Sequence, residues 1–278
     1  MTIKNQKEIL LSALEGVSDS PAFEANELLT FVTGLNKSSL LLKQSEELSA
    51  PQEKLLKKCL KMRKKGIPLQ YILGEWEFYS LNFKVGKGVL IPRADSELLV
   101  DLALGALSEY KEKTLFDLCS GSGALGIAVA KNCSDAKVVL VEKSPKAFKY
   151  LKQNVMLNAA NLTAVRADIF KWKPEGLADV VICNPPYITK KEMAELQSEV
   201  KKEPTAALYG GEDGLKFYRF LITNAKRFLK PNGKMLVEIG YKQAKDVVAL
   251  YKAAGFEQIE VKRDLGGNDR VVSAVVSS

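Results

Sequence analysis

A chain of 278 residues, 46% hydrophobic and 27% charged, has the makeup of a globular protein with room for one large domain and one small one. It contains no histidine, which excludes a Ser-His-Asp triad, a Cys-His pair and any His-ligated metal, and its 41 Lys and Arg against 33 Asp and Glu leave a formal charge of +8. The four cysteines, Cys59, Cys119, Cys133 and Cys183, lack metal or disulfide spacing, no apolar stretch reaches the length of a membrane span, and MTIKNQKEIL lacks the apolar core of a signal peptide, so a cytoplasmic protein with reduced thiols is expected.

Residues 1 to about 66 read as one helix after another. Ile9, Leu10, Ala13 and Leu14 recur at helical spacing, as do Phe23, Leu28, Leu29 and Phe31 after the Ser20-Pro21 start signal. Ser49-Ala50-Pro51-Gln52 has the form of a capping box, opening a basic helix with KLLKKCLKMRKK at 54–65. That run is either a solvated face or a surface for RNA, DNA or a ribosomal partner. Residues 70–91 change period, with Phe78, Leu81, Phe83, Val85 and Val89 among Gly86 and Gly88, which predicts a hairpin between domains. LIPRADSELLVDLALGAL, 90–107, returns to helix with Asp95 or Ser96 as its cap.

From 114 onward strands and helices alternate. TLFDL, KVVLVE, residues 162–166, ADVVICN and GKMLVEIG are the expected strands. Helices fall at 123–132, 145–159 and 213–229, the last closed by Pro231-Asn232-Gly233. FEQIEVKRDLGGNDRVVSAVV ends the pattern as an antiparallel pair turning at Gly266-Gly267-Asn268. The expected organisation is a helical domain at 1–68, a hairpin linker at 69–92, and at 93–278 an α/β domain with a doubly wound, mostly parallel sheet.

FDLCSGSGALG, 116–126, follows a strand and opens a helix, and Gly121, Gly123 and Gly126 fit G-x-G-x-x-G. Glu142 ends the next strand about twenty residues on, where an acid accepts from two ribose hydroxyls. NAD and S-adenosylmethionine both carry that ribose. Asp117 separates them, because a carboxylate in the turn repels a pyrophosphate and attracts the cationic ammonium of a methionine. Asp168, after the third strand, is placed at the adenine end.

VVICNPPYITKKE, 180–192, ends a strand in an amide, two rigid rings and an aromatic. Topology predicts residues 117–123 and 184–187 at the carboxyl ends of adjacent central strands. Asn184 and the Pro185 carbonyl then supply two acceptors for the two N–H groups of a planar NH2, with Pro186 stiffening the loop and Tyr187 stacking on the flat group. Such a nitrogen loses its proton after alkylation, so no strong base is required, in keeping with a chain that lacks histidine. A stiff strand-end loop without chemistry is the plain alternative. The motif indicates methylation of an amino or amide nitrogen and does not say which.

N184-P-P-Y187 with D117-L-C-S-G-S-G123 resembles the amino-methyltransferases, and further segments narrow the likeness. LIPRADSELLV (90–100), QYILGEWEFYSLNFKV (70–85), EPTAALYGGEDGL (203–215) and RDLGGNDRVV (263–272) are similar to the protein-glutamine methyltransferases of peptide chain release factors, the PrmC/HemK family. The resemblance covers nearly the whole chain. It implies a class I methyltransferase, Rossmann-like fold, S-adenosyl-L-methionine as cofactor, and as substrate the Gly-Gly-Gln glutamine of class I release factors, with neither a membrane nor an obligatory nucleic acid. It also implies cofactor contacts at Cys119, Ser120, Gly121, Ser122, Gly123, Glu142, Ile169 and Asn184, and substrate contacts at Asn184, Pro185, Pro186 and Tyr187. Arg93 and Glu97 either shape the site or partner contact, or form a salt-bridged helix start. Two positions depart from the family pattern. Cys119 stands where the first glycine is usual, which requires a negative φ there, and Ala94 replaces a proline. Competing readings are a nucleic-acid amino-methyltransferase, a glutamine methyltransferase of a ribosomal protein, an NAD oxidoreductase that leaves NPPY unexplained, and a non-catalytic module on the same fold.

Overall fold

The computed structural model describes residues 1–277 and resolves into two compact units. The first comprises Met1–Gly74 together with Gln197–Lys202; the second comprises Glu75–Leu196 and the chain from Glu203 onward. These limits differ from the expected 68 and 92. Residues Leu69–Leu73 form a helix closed by Gly74 at φ 79, and the hairpin lies inside the second unit, where Phe78 and Phe83 are buried in its core. Among the described residues no helix is long and apolar enough to cross a membrane.

The first unit holds α1 (Ile3–Leu14), α2 (Pro21–Thr33), α3 (Lys37–Leu42), α4 (Ala50–Lys64) and α5 (Leu69–Leu73). The capping box forms as expected, with Ser49 and Gln52 each accepting a backbone amide of the other residue. Leu10, Leu14, Leu28 and Leu29 are buried, while Ile9 and Phe31 from the same periodic sets are more than 40% exposed. On α4 the inward positions are Leu56, Cys59 and Arg63, at spacings of three and four. Buried Arg63 is held by Glu24 through two bonds of 2.7 and 2.9 Å and by Glu199 at 2.8 Å, so its charge is compensated within the unit.

The second unit opens with the hairpin β1 (Glu75–Phe78) and β2 (Leu81–Lys84). Its main sheet has seven strands: β3 (Thr114–Leu118), β4 (Lys137–Glu142), β5 (Thr163–Arg166), β6 (Ala178–Cys183), β7 (Leu229–Glu238), β8 (Glu257–Arg263) and β9 (Asp269–Val275). They lie in the order β5-β4-β3-β6-β7-β9-β8, parallel from β5 to β7, with β9 antiparallel to both β7 and β8. Successive side chains alternate between faces. Leu115, Val138, Leu140, Val180 and Ile182 join a core with α6 (Glu97–Leu107), α7 (Ala124–Asn132) and α8 (Pro145–Leu157). Phe116, Leu118, Val141, Val181 and Val237 face the other way, and after the short helices α9 (Lys190–Glu195) and α10 (Thr205–Leu208) the helices α11 (Lys216–Thr223) and α12 (Ala244–Ala253) cover them. The result is the expected doubly wound sheet.

Two local expectations fail. The helix predicted over 213–229 is α11 followed by a tight turn at Ala225–Arg227, because the Phe228 carbonyl accepts the Ala178 amide at 2.8 Å and draws the chain into the sheet. Strand β7 then starts at Leu229 and runs through Pro231–Gly233, with Asn232 taking the kink at φ 62. Neither Asp95 nor Ser96 caps α6 through its side chain. A turn at Ala94–Ser96 precedes the helix, and the Ser96 hydroxyl is used elsewhere.

Candidate active site

The chain enters the sheet at β3, places β4 and β5 on one side, and crosses to β6 and β7 on the other. Strand order therefore reverses between β3 and β6, and the crevice beyond their carboxyl ends is where such sheets bind ligands. Leu118 is paired with Cys183, so Cys119 and Asn184 follow side by side as the two chains leave the sheet. The expected juxtaposition of 117–123 with 184–187 is met.

In the glycine loop, Cys119 lies at φ 63, not in the negative region its side chain was expected to require. An L-residue in this conformation costs about 1 kcal/mol, so the turn keeps the glycine geometry without the glycine. Gly121 and Gly123 also lie at positive φ, and the Gly121 amide donates to Glu142 Oε2 at 2.9 Å. Glu142 Oε1 accepts the Ser144 amide at 2.5 Å. Burial raises the Glu142 carboxyl above its usual range, and these amides pull it back. Ser120 donates to the Asp117 carbonyl and buried Ser122 offers its own carbonyl to Asn154. Asn154 is fully buried and also bonds both backbone groups of Lys84, so one amide ties loop, hairpin and α8 together. Asp168 pairs with Lys143 at 2.9 Å and receives the Phe170 amide, while neighbouring Ile169 is buried against the sheet.

Asp117 stands differently from its expected position in a ligand's path. Its side chain is wholly buried beneath the loop, where Oδ2 accepts the Gly126 amide at 3.1 Å and so fixes the start of α7. Oδ1 is buried without a hydrogen-bond partner among the described residues. Burial pushes this carboxyl up to about 7.

Beyond β6, Pro185 and Pro186 are buried and Asn184 and Tyr187 are half-buried. The loop after α10 brackets this turn. Ile188 exchanges backbone hydrogen bonds with Leu208 and Gly210, and the Gln243 side chain donates to the Tyr187 carbonyl at 3.1 Å. A Cβ on Gly210 would lie 2.6 Å from the Pro186 carbonyl oxygen, and one on Gly214, itself at φ 73, would lie 2.3 Å from that of Tyr187. These glycines let one backbone press on the other, which is the physical content of the YGGEDG segment.

Behind the turn is a polar layer that sequence reasoning missed. Asn184 Nδ2 donates to Ser96 Oγ at 3.2 Å, and Ser96 Oγ donates to Glu238 Oε2 at 2.5 Å. The Tyr187 hydroxyl lies 3.5 Å from Glu238 Oε1. Glu238 ends β7 with only 2% of its surface exposed, and burial pushes its carboxyl up to about 7. Its position in an apolar strand, LVEIG, was the one signal available. Arg93 pairs with buried Glu203, which also accepts the Ile91 amide at 2.9 Å, so the IPRADS and EPTAAL segments are bound to each other. Among the described residues Glu97 forms no salt bridge; it accepts the Tyr79 amide at 2.8 Å and steadies the hairpin turn. Arg270 is held by Asp264 and reaches Asp95 at 3.2 Å, which accounts for RDLGGNDR.

A methyltransferase from Pyrococcus furiosus has a similar fold, with a TM-score of 0.55 over 72% of this chain and 91% of that one at 18% identity. Residues 95–212 match the family model described as methyltransferase small domain, and residues 10–74 match the PrmC N-terminal domain. With its strand order, glycine loop and NPPY turn, the protein is a class I methyltransferase. A release factor glutamine methyltransferase of Thermodesulfovibrio yellowstonii is 40% identical over 253 residues, 90% of each chain, and one of Clostridium acetobutylicum is 37% identical over 281 residues, 99% of each. The chain belongs to the release factor glutamine methyltransferases.

Proposed function

We propose that the protein transfers a methyl group from S-adenosylmethionine to the side-chain amide nitrogen of the glutamine in the Gly-Gly-Gln motif of class I peptide chain release factors. The observation that carries this reading is the register that sets Asn184 of NPPY beside the glycine loop, in a chain of this family.

The residues present suit the cofactor. The 119–123 backbone, from Cys119 to Gly123, would take its amino-acid end, Glu142 its ribose, and Asp168 with Ile169 the adenine. Leaving Asp117 Oδ1 buried and unpaired costs about 1–3 kcal/mol, a cost that a cationic group above the loop would offset. Bound S-adenosylmethionine supplies an electrophilic methyl group.

The protein's part is to present the nitrogen. An amide lone pair is delocalised into its carbonyl and is a poor nucleophile. Asn184 Oδ1 and the Pro185 carbonyl accept the two N–H bonds of the glutamine and turn its nitrogen toward the glycine loop. Buried Pro185 and Pro186 fix that carbonyl before substrate arrives, and the Tyr187 ring lies against the amide plane. Once alkylated, the nitrogen is acidic enough to lose its proton to water. Arg93 then belongs to the scaffold that carries the turn, and Glu97 to the hairpin.

Tandem mass spectrometry of a class I release factor incubated with the protein and cofactor tests the reading. One added methyl on the Gly-Gly-Gln glutamine is expected, and Asn184→Ala should abolish it with cofactor affinity largely intact. An active Asn184→Ala enzyme would sink the clamp. An unmodified release factor, with the cofactor bound, would redirect the search to a ribosomal protein or a nucleic acid.

A further inference from the structure

We infer that Glu238 and Ser96 are positioning residues that set which way the Asn184 amide faces. The inference rests on the proposed clamp, which needs the oxygen of that amide, not its nitrogen, on the open side of the turn.

A serine hydroxyl has one hydrogen. When Glu238 is a carboxylate it can only accept, so Ser96 must spend that hydrogen on Oε2, and the 2.5 Å separation is that of a charge-assisted O–H···O⁻ bond. Ser96 Oγ is then left with lone pairs alone and can only accept from Asn184. The Asn184 NH2 is drawn to Ser96 at 3.2 Å, and Oδ1 is thereby turned away from Ser96. A neutral Glu238 acid removes this polarity. It can donate to Ser96, freeing the hydroxyl hydrogen to point at Asn184 and favouring the flipped amide, whose NH2 would confront the N–H groups of the substrate. One proton on Glu238 thus moves the clamp between a form that accepts and a form that repels.

The surroundings support a carboxylate that is half-ionised near neutrality, ionised above it and protonated below it. Ser96 is 4% exposed and Glu238 2%, so water does not compete for either bond. Arg270 favours the carboxylate, while burial and Asp95 oppose it. Tyr187 and Tyr218 also face the group, Tyr218 donating to the Glu238 backbone carbonyl at 2.9 Å, as does Cys183 from β6; burial keeps all three neutral. Glu238 is the acid among them that titrates near 7.

The test combines kinetics with a probe that needs no methyl transfer. In steady-state assays on a release factor, Ser96→Ala is expected to lower kcat by about 10–100-fold with KM and cofactor affinity within about twofold. Ser96→Thr, which keeps the hydroxyl, should recover most of it. Wild-type kcat should fall as pH drops below about 7, and Glu238→Gln should be slow and lack that limb. The Asn184 side-chain amide resonance, assigned by its loss in Asn184→Ala, should titrate with the same midpoint in the wild-type protein and stay still in Glu238→Gln. A pH-silent Asn184 amide, or Ser96→Ala with wild-type kcat, would overturn the inference. A wild-type protein that leaves release factors unmodified would sink the functional reading alone, since the resonance still decides whether Glu238 sets Asn184.

Discussion

Asp117 shows how a single buried group divides stability from function. Its carboxyl titrates near 3.8 when solvated and about 7 in the fold. Between those values the native state holds a proton that the unfolded chain has released, so stability falls as pH rises through this window and the loss is complete above about pH 7. Asp117→Asn keeps an acceptor for the Gly126 amide and discards the charge. Urea unfolding should find it more stable than wild type by about 2–4 kcal/mol near pH 8, with the gap closing toward pH 4. An equal gap at both pH values would mean that the carboxyl titrates normally. Residue identity alone led to a different picture of this acid, as a group facing the ligand. Which way a strand residue points depends on a count along the strand, and Asp117 falls on the Leu115 face, under α7. Cys119 misled in the opposite sense, since the rule that side chains avoid positive φ is a preference of about 1 kcal/mol, which a loop pinned by Glu142 and Asn154 overrides.

At the scale of elements, the strands were legible because a parallel sheet covered on both faces writes itself as continuous apolar runs such as VVIC and VVLV. The site's position followed from strand order. What could not be read was the support of the NPPY turn, because its contacts join Gly210, Gly214, Gln243, Ser96 and Glu238 across separations of many residues. The hairpin, too, reads from sequence as a hairpin between domains, since the burial of Phe78 and Phe83 in the second unit's core is a tertiary fact. The bracketing glycines make a direct prediction. Gly210→Ala must push apart two backbones that a Cβ would approach to 2.6 Å, so it should lower stability by about 1–3 kcal/mol and reduce kcat far more than a surface substitution of equal stability cost. Thermal unfolding and turnover measured on the same preparation check it; unchanged turnover would show that the turn is rigid without the bracket.

Over the whole molecule, charge is the feature left unused by the chemistry. Lys57, Lys58 and Lys61 are exposed on α4, and the excess of +8 gives the protein a field that attracts an acidic partner from a distance. Reversing all three to Glu is expected to raise KM for the release factor about tenfold at low salt, with kcat unchanged and the difference shrinking as salt is added. Unchanged kinetics at low salt would rule out a contact there.

Residues 197–202 bear on ancestry as well. They count with the first unit although more than a hundred residues of the second precede them, and Glu199 among them gives the buried Arg63 a second carboxylate beside Glu24. A gene rearrangement that traded the first seventy-four residues for another helical module would leave Glu199 without Arg63 in the recipient and leave Arg63 with Glu24 alone in the donor. Shuffling by a single crossover is therefore penalised, and the two units are expected to descend together, as one inheritance rather than two.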